Sequence, residues 1–412
     1  MSQRAGVVIV GAGLAGAKAA QALRQARFDG PVTLLSDESL RPYQRPPLSK
    51  EYLRGTAGRD ALFVHPESWY RTHGVDLRLN TVATGIDRER HEVTAGAGER
   101  IGYAKLLLTT GAAPRALHVP GSARGRVLYL RRVEDSERIR AALRPDARLV
   151  VVGAGWIGLE VAAAARLAGA QVTIVESAEM PLLRPLGPEI APVFAALHRA
   201  RGVDLRLAAE VAAIEEVGRD AVTVHLTDGT VLSADAVIAG IGAAPNTVLA
   251  ANAGLTVRDG IVVDASLQTS DPDIYAAGDA ARALHPLYGK HIRVEHWATA
   301  RYQPAVAARA MLGERDAVYD RVPFFYSDQY ELAMEFTGYI EPGDCDRVVV
   351  RGDLKRPGDG LLAFWLAEDR VLGGMSVNVR GTAKPIEHLV RSGKPVSPAT
   401  LADPDLPLPR PE

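Results

Sequence analysis

Two glycine clusters contain the residues whose type and spacing could do chemistry in this sequence. Gly11-Ala-Gly13-Leu-Ala-Gly16 and Gly153-Ala-Gly155-Trp-Ile-Gly158 both have the spacing Gly-x-Gly-x-x-Gly. In that spacing the first glycine permits a tight turn, the second lets the backbone approach a pyrophosphate, and the third lets a helix pack closely on a strand. The sequence therefore predicts two turns that each bind the phosphates of a dinucleotide at a helix N-terminus.

Each glycine cluster lies between apolar segments that have the lengths of buried strands and a crossover helix. The short segments are rich in β-branched residues, and small residues follow each cluster. A strand, a glycine turn, a helix and a second parallel strand together form a βαβ unit. The predicted units have strands at 7–10 and 32–35 around a helix that ends near Arg27, and strands at 149–152 and 171–175 around a helix that ends near Leu167.

An acidic residue follows the second strand of each unit. Glu176 comes directly after Val175, and Asp37 comes two residues after Leu35. An acidic side chain at this place accepts a hydrogen bond from a ribose 2′-hydroxyl and repels a 2′-phosphate. Glu176 therefore favours NADH over NADPH, and the alternative is a solvated carboxylate at a strand end.

Each unit is followed by a further strand that ends in a Gly-x-x-Pro turn. Residues 106–110 lead into Gly111-Ala-Ala-Pro114, and residues 236–240 lead into Gly242-Ala-Ala-Pro245. A proline cannot continue a central strand, so each turn ends its strand. A later short strand leads into Gly278-Asp279, whose carboxylate could bind a ribityl hydroxyl or merely cap the next helix. The chain is therefore predicted to have two similar halves.

Strand-like segments dominate after residue 320, at 346–353, 361–366 and 370–379, and a helix is predicted at 384–392. This succession indicates a separate α+β domain at the C-terminal end. The chain has 412 residues, which at roughly 100 to 200 residues per domain predicts two to four domains. Three domains are the central expectation.

Composition excludes several classes of function. Lys and Arg total 48 against 49 acidic residues, so the basic surplus typical of nucleic-acid-binding proteins is missing. The apolar N-terminal segment is followed directly by Lys18, Gln21 and Arg24, which argues against a secretory signal. We expect a cytoplasmic protein that binds neither nucleic acid nor membrane.

The cysteine and histidine content limits the redox chemistry. A disulfide relay needs two thiols, and Cys345 is the single cysteine. The place of Cys345 in a polar turn favours a cysteine without a catalytic role. Peroxidase chemistry at this lone thiol is the alternative. The 10 histidines show no spacing typical of metal ligands, so no metal is expected.

Two such units in one chain, together with the Gly-x-x-Pro turns and Gly278-Asp279, resemble the glutathione-reductase-like class of FAD/NAD(P)H proteins. Within that class, Arg41-Pro-Tyr-Gln-Arg45-Pro46-Pro-Leu-Ser-Lys50 resembles the signature of NADH-dependent ferredoxin reductases that serve bacterial oxygenases. The resemblance implies an α/β fold with two Rossmann-like dinucleotide-binding domains and an α+β C-terminal domain. The implied domains are FAD-binding at 1–112 and 245–320, NADH-binding at 113–244, and C-terminal at 321–412.

The resemblance also implies which residues bind the cofactors. Asp37 would bind the adenosine ribose, Val82 would meet the adenine through its backbone, Asp279 would bind the ribityl chain, and Trp297 would lie over the isoalloxazine edge. The full set for FAD is Gly11, Gly13, Leu14, Ala15, Gly16, Asp37, Arg45, Pro46, Lys50, Val82, Thr110, Gly111, Arg131, Gly278, Asp279 and Trp297. The set for NADH is Gly153, Gly155, Trp156, Ile157, Gly158, Glu160, Glu176, Arg184 and Gly242.

Lys50 and Glu160 are the predicted catalytic residues. In the family the carboxylate equivalent to Glu160 approaches the nicotinamide and the lysine equivalent to Lys50. We hypothesise that the two residues form an ion pair beside FAD N5, in which the Lys50 ammonium would stabilise the anionic reduced flavin. The alternatives are a solvated lysine at a helix start and a glutamate that interacts only with the helix dipole.

The resemblance implies hydride transfer from NADH to FAD N5, then single-electron transfer to a 2Fe-2S ferredoxin that supplies a cytochrome P-450 monooxygenase or a ring-hydroxylating dioxygenase. The ferredoxin would bind transiently to basic residues, for which the candidates are Arg301, Arg380, Lys384, Arg391 and Lys394. The alternatives are reduction of rubredoxin, quinone, monodehydroascorbate or oxygen, and an NADH-sensing interaction flavoprotein resembling apoptosis-inducing factor. A monomer or weak homodimer is expected.

Two departures from the family pattern affect positions near the expected flavin. Thr299 stands where relatives commonly have asparagine, and residues 323–329 contain no tryptophan where relatives have one. The resemblance therefore does not extend to the contacts at these two places, and the fold assignment does not depend on them.

Overall fold

The computed structural model describes residues 6–123, 125–217 and 221–408. The α-helices are α1 Leu14–Gln25, α2 Glu67–Thr72, α3 Val133–Ala142, α4 Trp156–Leu167, α5 Leu183–Ala200, α6 Val248–Asn252, α7 Trp297–Met311, α8 Ala383–Ser392 and α9 Pro398–Ala402. Short 3₁₀ helices lie at Pro46–Ser49, Arg59–Leu62, Gly278–Ala280 and Pro357–Asp359.

The strands in the N-terminal half of the chain are β1 Gly6–Val10, β2 Val32–Leu35, β3 Val75–Arg78, β4 Ala83–Asp87, β5 Glu92–Ala95, β6 Glu99–Leu108, β7 Ala112–Pro114, β8 Val127–Leu128, β9 Arg148–Val152, β10 Gln171–Val175 and β11 Asp204–Arg206. Those that follow are β12 Val211–Val217, β13 Ala221–Leu226, β14 Val231–Ala234, β15 Ala236–Ala239, β16 Ala243–Pro245, β17 Ile261–Val263, β18 Ile274–Ala276, β19 Ala281–His285, β20 Lys290–Ile292, β21 Phe324–Gln329, β22 Leu332–Gly338, β23 Arg347–Arg351, β24 Leu361–Ala367 and β25 Arg370–Val377.

The chain divides into two compact units, each made of discontinuous segments. These units are larger than the predicted βαβ units, and each contains one of them. Unit 1 comprises Met1–Arg45, Arg59–Ala113 and Ala243–Pro323. Unit 2 comprises Pro46–Gly58, Pro114–Gly242 and Phe324–Glu412. The three-domain division expected from the sequence stays a prediction.

Unit 1 is built on a sheet with the strand order β3-β2-β1-β6-β5-β4, and β18 also pairs with β6. β1 is parallel to both β2 and β6, with Val10 opposite Leu35 and Leu108. All five residues of β1 are buried, as expected for the central strand of a parallel sheet with both faces covered. The carboxyl ends of β1, β2, β6 and β18 therefore lie at one edge of the sheet, where the first glycine cluster begins.

Unit 2 contains a parallel sheet with the strand order β11-β10-β9-β15-β8. β9 is parallel to β10 and β15, with Val152 opposite Val175 and Ala239. Helix α4 follows the glycine turn directly, and its alanine-rich face is buried. A small antiparallel sheet of β12, β13 and β14 lies in the same unit.

The C-terminal segment of unit 2 forms an antiparallel sheet with the strand order β21-β22-β25-β24-β23. Every residue of β24 except its last is buried, and helix α8 buries Ile386 and Leu389. The predicted strands and helix after residue 320 correspond to β23, β24, β25 and α8 within two residues at each end. Within the described ranges, no helix has the length and apolarity needed to cross a membrane.

Candidate active site

The first glycine cluster of unit 1 forms a turn in which two of the three glycines are required by close backbone packing. Gly11 has a φ of +105°, and a Cβ there would lie 2.2 Å from the Thr109 carbonyl oxygen. A Cβ on Gly16 would lie 2.1 Å from the Gly11 carbonyl oxygen. Beside Gly13, a Cβ would meet no heavy atom of the described residues within 4 Å. The turn therefore leaves open space where a pyrophosphate is expected.

Gly278 and Asp279 lie next to this turn within unit 1. Strand β18 is parallel to β6, with Ala276 opposite Leu108, and this pairing brings the 3₁₀ helix Gly278–Ala280 to the edge where the turn begins. A Cβ on Gly278 would lie 3.2 Å from the Ala15 Cβ. Since Gly278 has a φ of +78°, a glycine suits both the conformation and the spacing.

Arg45 is part of a hydrogen-bonded triad in unit 1. Its guanidinium donates to Glu38 Oε1 at 2.7 Å and to the Tyr43 hydroxyl at 3.0 Å. The Tyr43 hydroxyl also donates to Glu38 Oε2. The structure thus gives Arg45 a fixed position, and Glu38 is a member of the site that the sequence pattern did not single out.

The other residues expected at FAD have varied environments. Trp297 is half-buried and its Nε1 donates to Gln44 Oε1 at 2.9 Å. The side chains of Asp37 and Val82 are exposed. Thr110 and Gly111 are hydrogen-bonded to Asn246, which follows the second Gly-x-x-Pro turn. Of the expected set, Pro46, Lys50 and Arg131 belong to unit 2.

The glycine turn of unit 2 repeats the geometry of the first. Gly153 has a φ of +96°, and a Cβ there would lie 2.6 Å from the Gly240 carbonyl oxygen. A Cβ on Gly158 would lie 2.0 Å from the Gly153 carbonyl oxygen. Beside Gly155 the nearest atom, the Gly240 oxygen, is 3.8 Å from such a Cβ. This turn therefore also leaves open space beside its second glycine, where a pyrophosphate is expected.

A cavity of about 460 Å³ opens above this turn. Glu176 lies in its wall, and its two carboxylate oxygens accept hydrogen bonds from the Ala154 N–H at 2.6 Å and the Ala178 N–H at 2.8 Å. Both bonds fix the carboxylate beside the glycine turn. The lining also includes Gly153, Gly155, Val175, Ser177, Glu210 and Gly242.

The remaining residues expected at NADH differ in exposure. The Trp156 ring packs edge-on against Phe194 and Phe325, with centroid distances of 6.0 and 5.1 Å. Ile157 and Arg184 are exposed. The Trp156 side chain is thus used in packing, and its backbone lies in the turn.

Lys50 and Glu160 form a buried ion pair in unit 2. Lys50 Nζ lies 2.7 Å from Glu160 Oε2, and the side chains are 7% and 3% exposed. Lys50 follows the 3₁₀ helix Pro46–Ser49, in which two prolines fix φ. Glu160 lies in the first half of α4. The structure therefore brings the two predicted catalytic residues together, although 110 positions separate them.

Three further residues lie against this ion pair. Glu160 Oε2 accepts a hydrogen bond from the Ser49 hydroxyl at 2.5 Å, and Glu160 Oε1 accepts one from the Ser327 hydroxyl at 2.7 Å. Lys50 Nζ lies 5.5 Å from the centre of the Tyr326 ring, within the range of a cation–π interaction. Burial raises the pKa of Tyr326 to about 12. The sequence offered no signal for Ser327, since a lone serine in a strand is ordinary.

The comparisons with known proteins agree with this geometry. The model of the pyridine nucleotide-disulphide oxidoreductase family matches residues 5–307. The chain belongs to this family. A second model, described as reductase C-terminal, matches residues 324–410. FAD and NADH are the cofactors that membership implies.

The relatives of this chain within the family include ferredoxin reductases. Putidaredoxin reductase of Pseudomonas putida is 40% identical over 415 residues, which cover 99% of this chain and 97% of that protein. The anthranilate 1,2-dioxygenase system ferredoxin–NAD(+) reductase component of Burkholderia cepacia is 40% identical over 399 residues, or 96% and 97% of the two chains. The crystal structure of a covalent putidaredoxin reductase–putidaredoxin complex matches with a TM-score of 0.94 and 39% identity, covering 99% of this chain and 98% of that one.

This family is named for a disulphide, yet the sequence has a single cysteine. Cys345 is half-buried, and burial raises the pKa of its thiol, which disfavours the reactive thiolate. Its Sγ lies 3.0 Å from the Arg347 carbonyl oxygen. In the described residues, no cluster of three or more His, Cys, Asp or Glu side chains could bind a metal ion.

The two departures from the family pattern fall in helix α7 and strand β21. Thr299 is 4% exposed in α7, so it is packed inside unit 1. Tyr326 is the aromatic residue that faces Lys50 in the segment without tryptophan.

The candidate docking cations do not share one environment. Arg301 lies in unit 1, and its guanidinium lies 4.9 Å from the Trp297 ring centre. Arg380, Lys384, Arg391 and Lys394 are exposed in unit 2. Arg391 pairs with Glu387 at 3.1 Å.

Proposed function

We propose that this protein is an FAD-dependent NADH:ferredoxin oxidoreductase. The supporting observation is that the likeness to ferredoxin reductases spans almost the whole chain, including the C-terminal segment as well as both dinucleotide turns. The fold alone would not choose the acceptor, because one fold serves many reactions. The 2Fe-2S ferredoxin, and the oxygenase that it supplies, are therefore proposed from the relatives.

When bound, FAD accepts two electrons from NADH and passes them on singly. Unit 1 supplies the turn at Gly13 for the FAD pyrophosphate and Asp279 for the ribityl chain. Unit 2 supplies the turn at Gly155 and the cavity beside Glu176 for NADH. Such a transfer needs no acid–base pair, so the main contributions of the chain are positioning and electrostatics.

Lys50 contributes the positive charge in this proposal. Its ammonium is buried and held by Glu160, and a fixed buried charge acts more strongly than one in water. We infer that Lys50 stabilises the negative charge that develops during reduction and that Glu160 orients it. The support is the burial of the pair and the family pattern at residues 41–50.

Glu176 is the proposed determinant of NADH over NADPH. Its carboxylate is fixed by two backbone N–H groups at the cavity wall. A 2′-phosphate placed there would meet a negative charge that cannot move away. NADH carries a hydroxyl at the same position and would meet an acceptor.

The ferredoxin is proposed to bind through the exposed cations Arg380, Lys384, Arg391 and Lys394. Ferredoxins of this type are usually acidic, and complementary charge speeds a transient encounter. We propose a monomer or weak homodimer, located in the cytoplasm, where NADH is supplied.

The test is steady-state reduction of cytochrome c through a 2Fe-2S ferredoxin encoded near the gene, with NADH and NADPH at equal concentrations. We expect fast turnover that requires the ferredoxin and prefers NADH. Rubredoxin, a small quinone and oxygen serve as alternative acceptors. Rapid turnover with one of these and none with the ferredoxin would reassign the acceptor, and slow turnover with all, together with NADH-dependent dimerisation, would indicate a sensor.

A further inference from the structure

A row of buried hydrogen bonds continues from the Glu160 carboxylate away from Lys50. Ser327 Oγ, which donates to Glu160 Oε1, accepts from Gln329 Nε2 at 3.2 Å. Gln329 Oε1 in turn lies 3.0 Å from His198 Nε2. Glu160, Ser327, Gln329 and His198 are 3%, 1%, 1% and 0% exposed. We refer to these four residues as the Glu160–His198 chain.

The donors of the Glu160–His198 chain all point toward the carboxylate. Gln329 Oε1 can only accept, so the His198 ring carries its proton on Nε2. Its Nδ1 then faces the Tyr330 hydroxyl at 3.5 Å. Burial lowers the pKa of His198, so the ring is neutral at neutral pH. Because a neutral amide does not pass protons on readily, the chain is suited to fix orientation rather than to transfer protons.

Rigid elements support the Glu160–His198 chain. Ser327 and Gln329 are two residues apart in β21, so both side chains lie on the same face of the sheet. His198 lies near the end of α5, and Glu160 lies in α4. Since Lys50 and Ser49 bind Oε2 and Ser327 binds Oε1, both carboxylate oxygens are held. Glu160 therefore has one orientation available without breaking a buried hydrogen bond.

We propose that Ser327, Gln329 and His198 are positioning residues for flavin reduction, which fix the Glu160 carboxylate and through it the Lys50 ammonium. The proposal rests on the proposed function, and specifically on the role given there to Lys50. A merely structural role is the alternative, because buried polar groups are hydrogen-bonded in most proteins. The positioning role and the structural role predict different effects of a small change at Ser327 on the rate of flavin reduction.

The sheet provides a matched control for Ser327. Ser327 lies opposite Met334, which lies opposite Val377, so the neighbouring Ser376 faces the other side of the sheet. Ser376 is 2% exposed and thus as buried as Ser327. Ser327→Ala and Ser376→Ala each remove one buried hydroxyl group from this sheet, but only Ser327→Ala removes a donor to Glu160.

The experiment is anaerobic stopped-flow reduction of the full-length holoprotein by NADH. We expect Ser327→Ala to lower the limiting rate of flavin reduction by about tenfold, the loss of one hydrogen bond to a charged group, with the NADH dissociation constant changed less than twofold. Gln329→Met should lower it less, because Ser327 keeps its bond to Glu160. Ser327→Thr should restore the rate, and Ser376→Ala should match the wild type. Equal rates for all variants, or equal losses in Ser327→Ala and Ser376→Ala, would overturn the proposal.

A second measurement does not depend on turnover. In urea unfolding of the full chain, the effects of Ser327→Ala and Glu160→Gln should be non-additive, because the two side chains share a bond. The effects of Ser376→Ala and Glu160→Gln should add. Additivity in both pairs would contradict the inference. The wild-type ferredoxin assay tests the acceptor separately, so failure of the proposed function is distinguishable from failure here.

Discussion

The two glycine turns share a backbone but differ in the residues that follow them. Gly11, Gly13 and Gly16 of unit 1 correspond to Gly153, Gly155 and Gly158 of unit 2, and in both turns the third glycine lies against the carbonyl of the first. The close packing of helix on strand therefore sets these positions in both units. The differences between the two units come from side chains outside the glycines.

The largest difference lies seven positions after the first glycine, at Lys18 in unit 1 and Glu160 in unit 2. Lys18 is half-buried, donates to Gln21 at 2.8 Å, and has a pKa lowered by burial and by the charge of Arg301. Glu160 is buried and bound by Lys50 and two serines. The same helix position is therefore an ordinary partly exposed site in one unit and the centre of a polar network in the other.

A second difference lies at the end of the second strand. The residue that follows this strand is Ser36 in unit 1 and Glu176 in unit 2. Ser36 Oγ accepts from the Glu38 N–H at 3.1 Å, whereas Glu176 accepts from the glycine turn itself. In unit 2 the residue directly after the second strand is thus a carboxylate bound to the glycine turn, whereas in unit 1 it is a serine bound to the segment that follows it.

Replacing the third glycine of each turn should distinguish the roles of the two turns most clearly. Gly16→Ala places a Cβ 2.1 Å from a backbone oxygen, which forces helix and strand apart at a cost of about 1 to 3 kcal/mol or more, so we expect loss of FAD. Gly158→Ala meets a similar contact at 2.0 Å and should leave a yellow protein that dithionite reduces and NADH does not. FAD content and anaerobic titration measure this. Loss of FAD in both variants would contradict the proposal that the turn of unit 1 binds FAD and the turn of unit 2 binds NADH.

Lys50→Met should be far more damaging than Lys18→Met. Removing one partner of a buried ion pair costs about 3 to 5 kcal/mol of unfolding free energy, and flavin reduction by NADH should slow while FAD stays bound. Lys18 lies where burial already disfavours its charge, so Lys18→Met should change stability by about 0.5 kcal/mol or less. Urea unfolding and stopped-flow reduction of both variants provide the measurements. Unchanged reduction in Lys50→Met would remove Lys50 from the mechanism.

Glu176→Gln should weaken the preference for NADH over NADPH by about tenfold in kcat/KM, because the fixed charge that repels a 2′-phosphate is lost. Glu210 also lines the cavity but is exposed, so Glu210→Gln serves as the matched control and should change the preference little. Steady-state kinetics with both nucleotides measure this. If the two variants shift selectivity equally, general cavity charge and not Glu176 sets the choice.

The smallest expected effect is on the acid stability of unit 1. Burial is the first cause that lowers the pKa of His65 and of His296 to about 4, below the ordinary 6.5. The unfolded chain therefore binds more protons between pH 6.5 and pH 4, and the free energy of unfolding falls as the pH falls through that window. His65→Asn should flatten this slope when FAD release is followed by fluorescence. An unchanged slope would show that His65 is protonated equally in both states.

Much of the fold was predictable from the sequence because its signals are local. The strands before both glycine clusters, helix α4 to Leu167, and β23 to β25 with α8 agree with the structure within two residues at each end. Apolar runs, glycine spacing and proline positions act over a few neighbours, so a single chain reveals them. Lys50 and Glu160 were predicted as partners only through the resemblance to a family.

Side-chain partners could not be predicted from any local pattern. Glu38 holds Arg45 because residues 38–45 fold back within unit 1, and Ser327 reaches Glu160 across 167 positions. Which serine of a strand meets a buried carboxylate depends on sheet register, and a shift of one residue reverses the face.

The sequence by itself determined two glycine turns, which are predicted to bind phosphates, an acidic residue after the second strand, and one cysteine, which leaves no pair for a disulfide relay. Only the tertiary structure decided that Gly278 lies beside Ala15, that Glu176 binds its own turn, and that a chain of buried hydrogen bonds reaches His198. The physical reason is the separation along the chain over which each kind of interaction acts. Backbone conformation follows from neighbouring residues, whereas the hydrogen-bond partner of a buried side chain is fixed by which distant segments the packed core brings within about 3 Å.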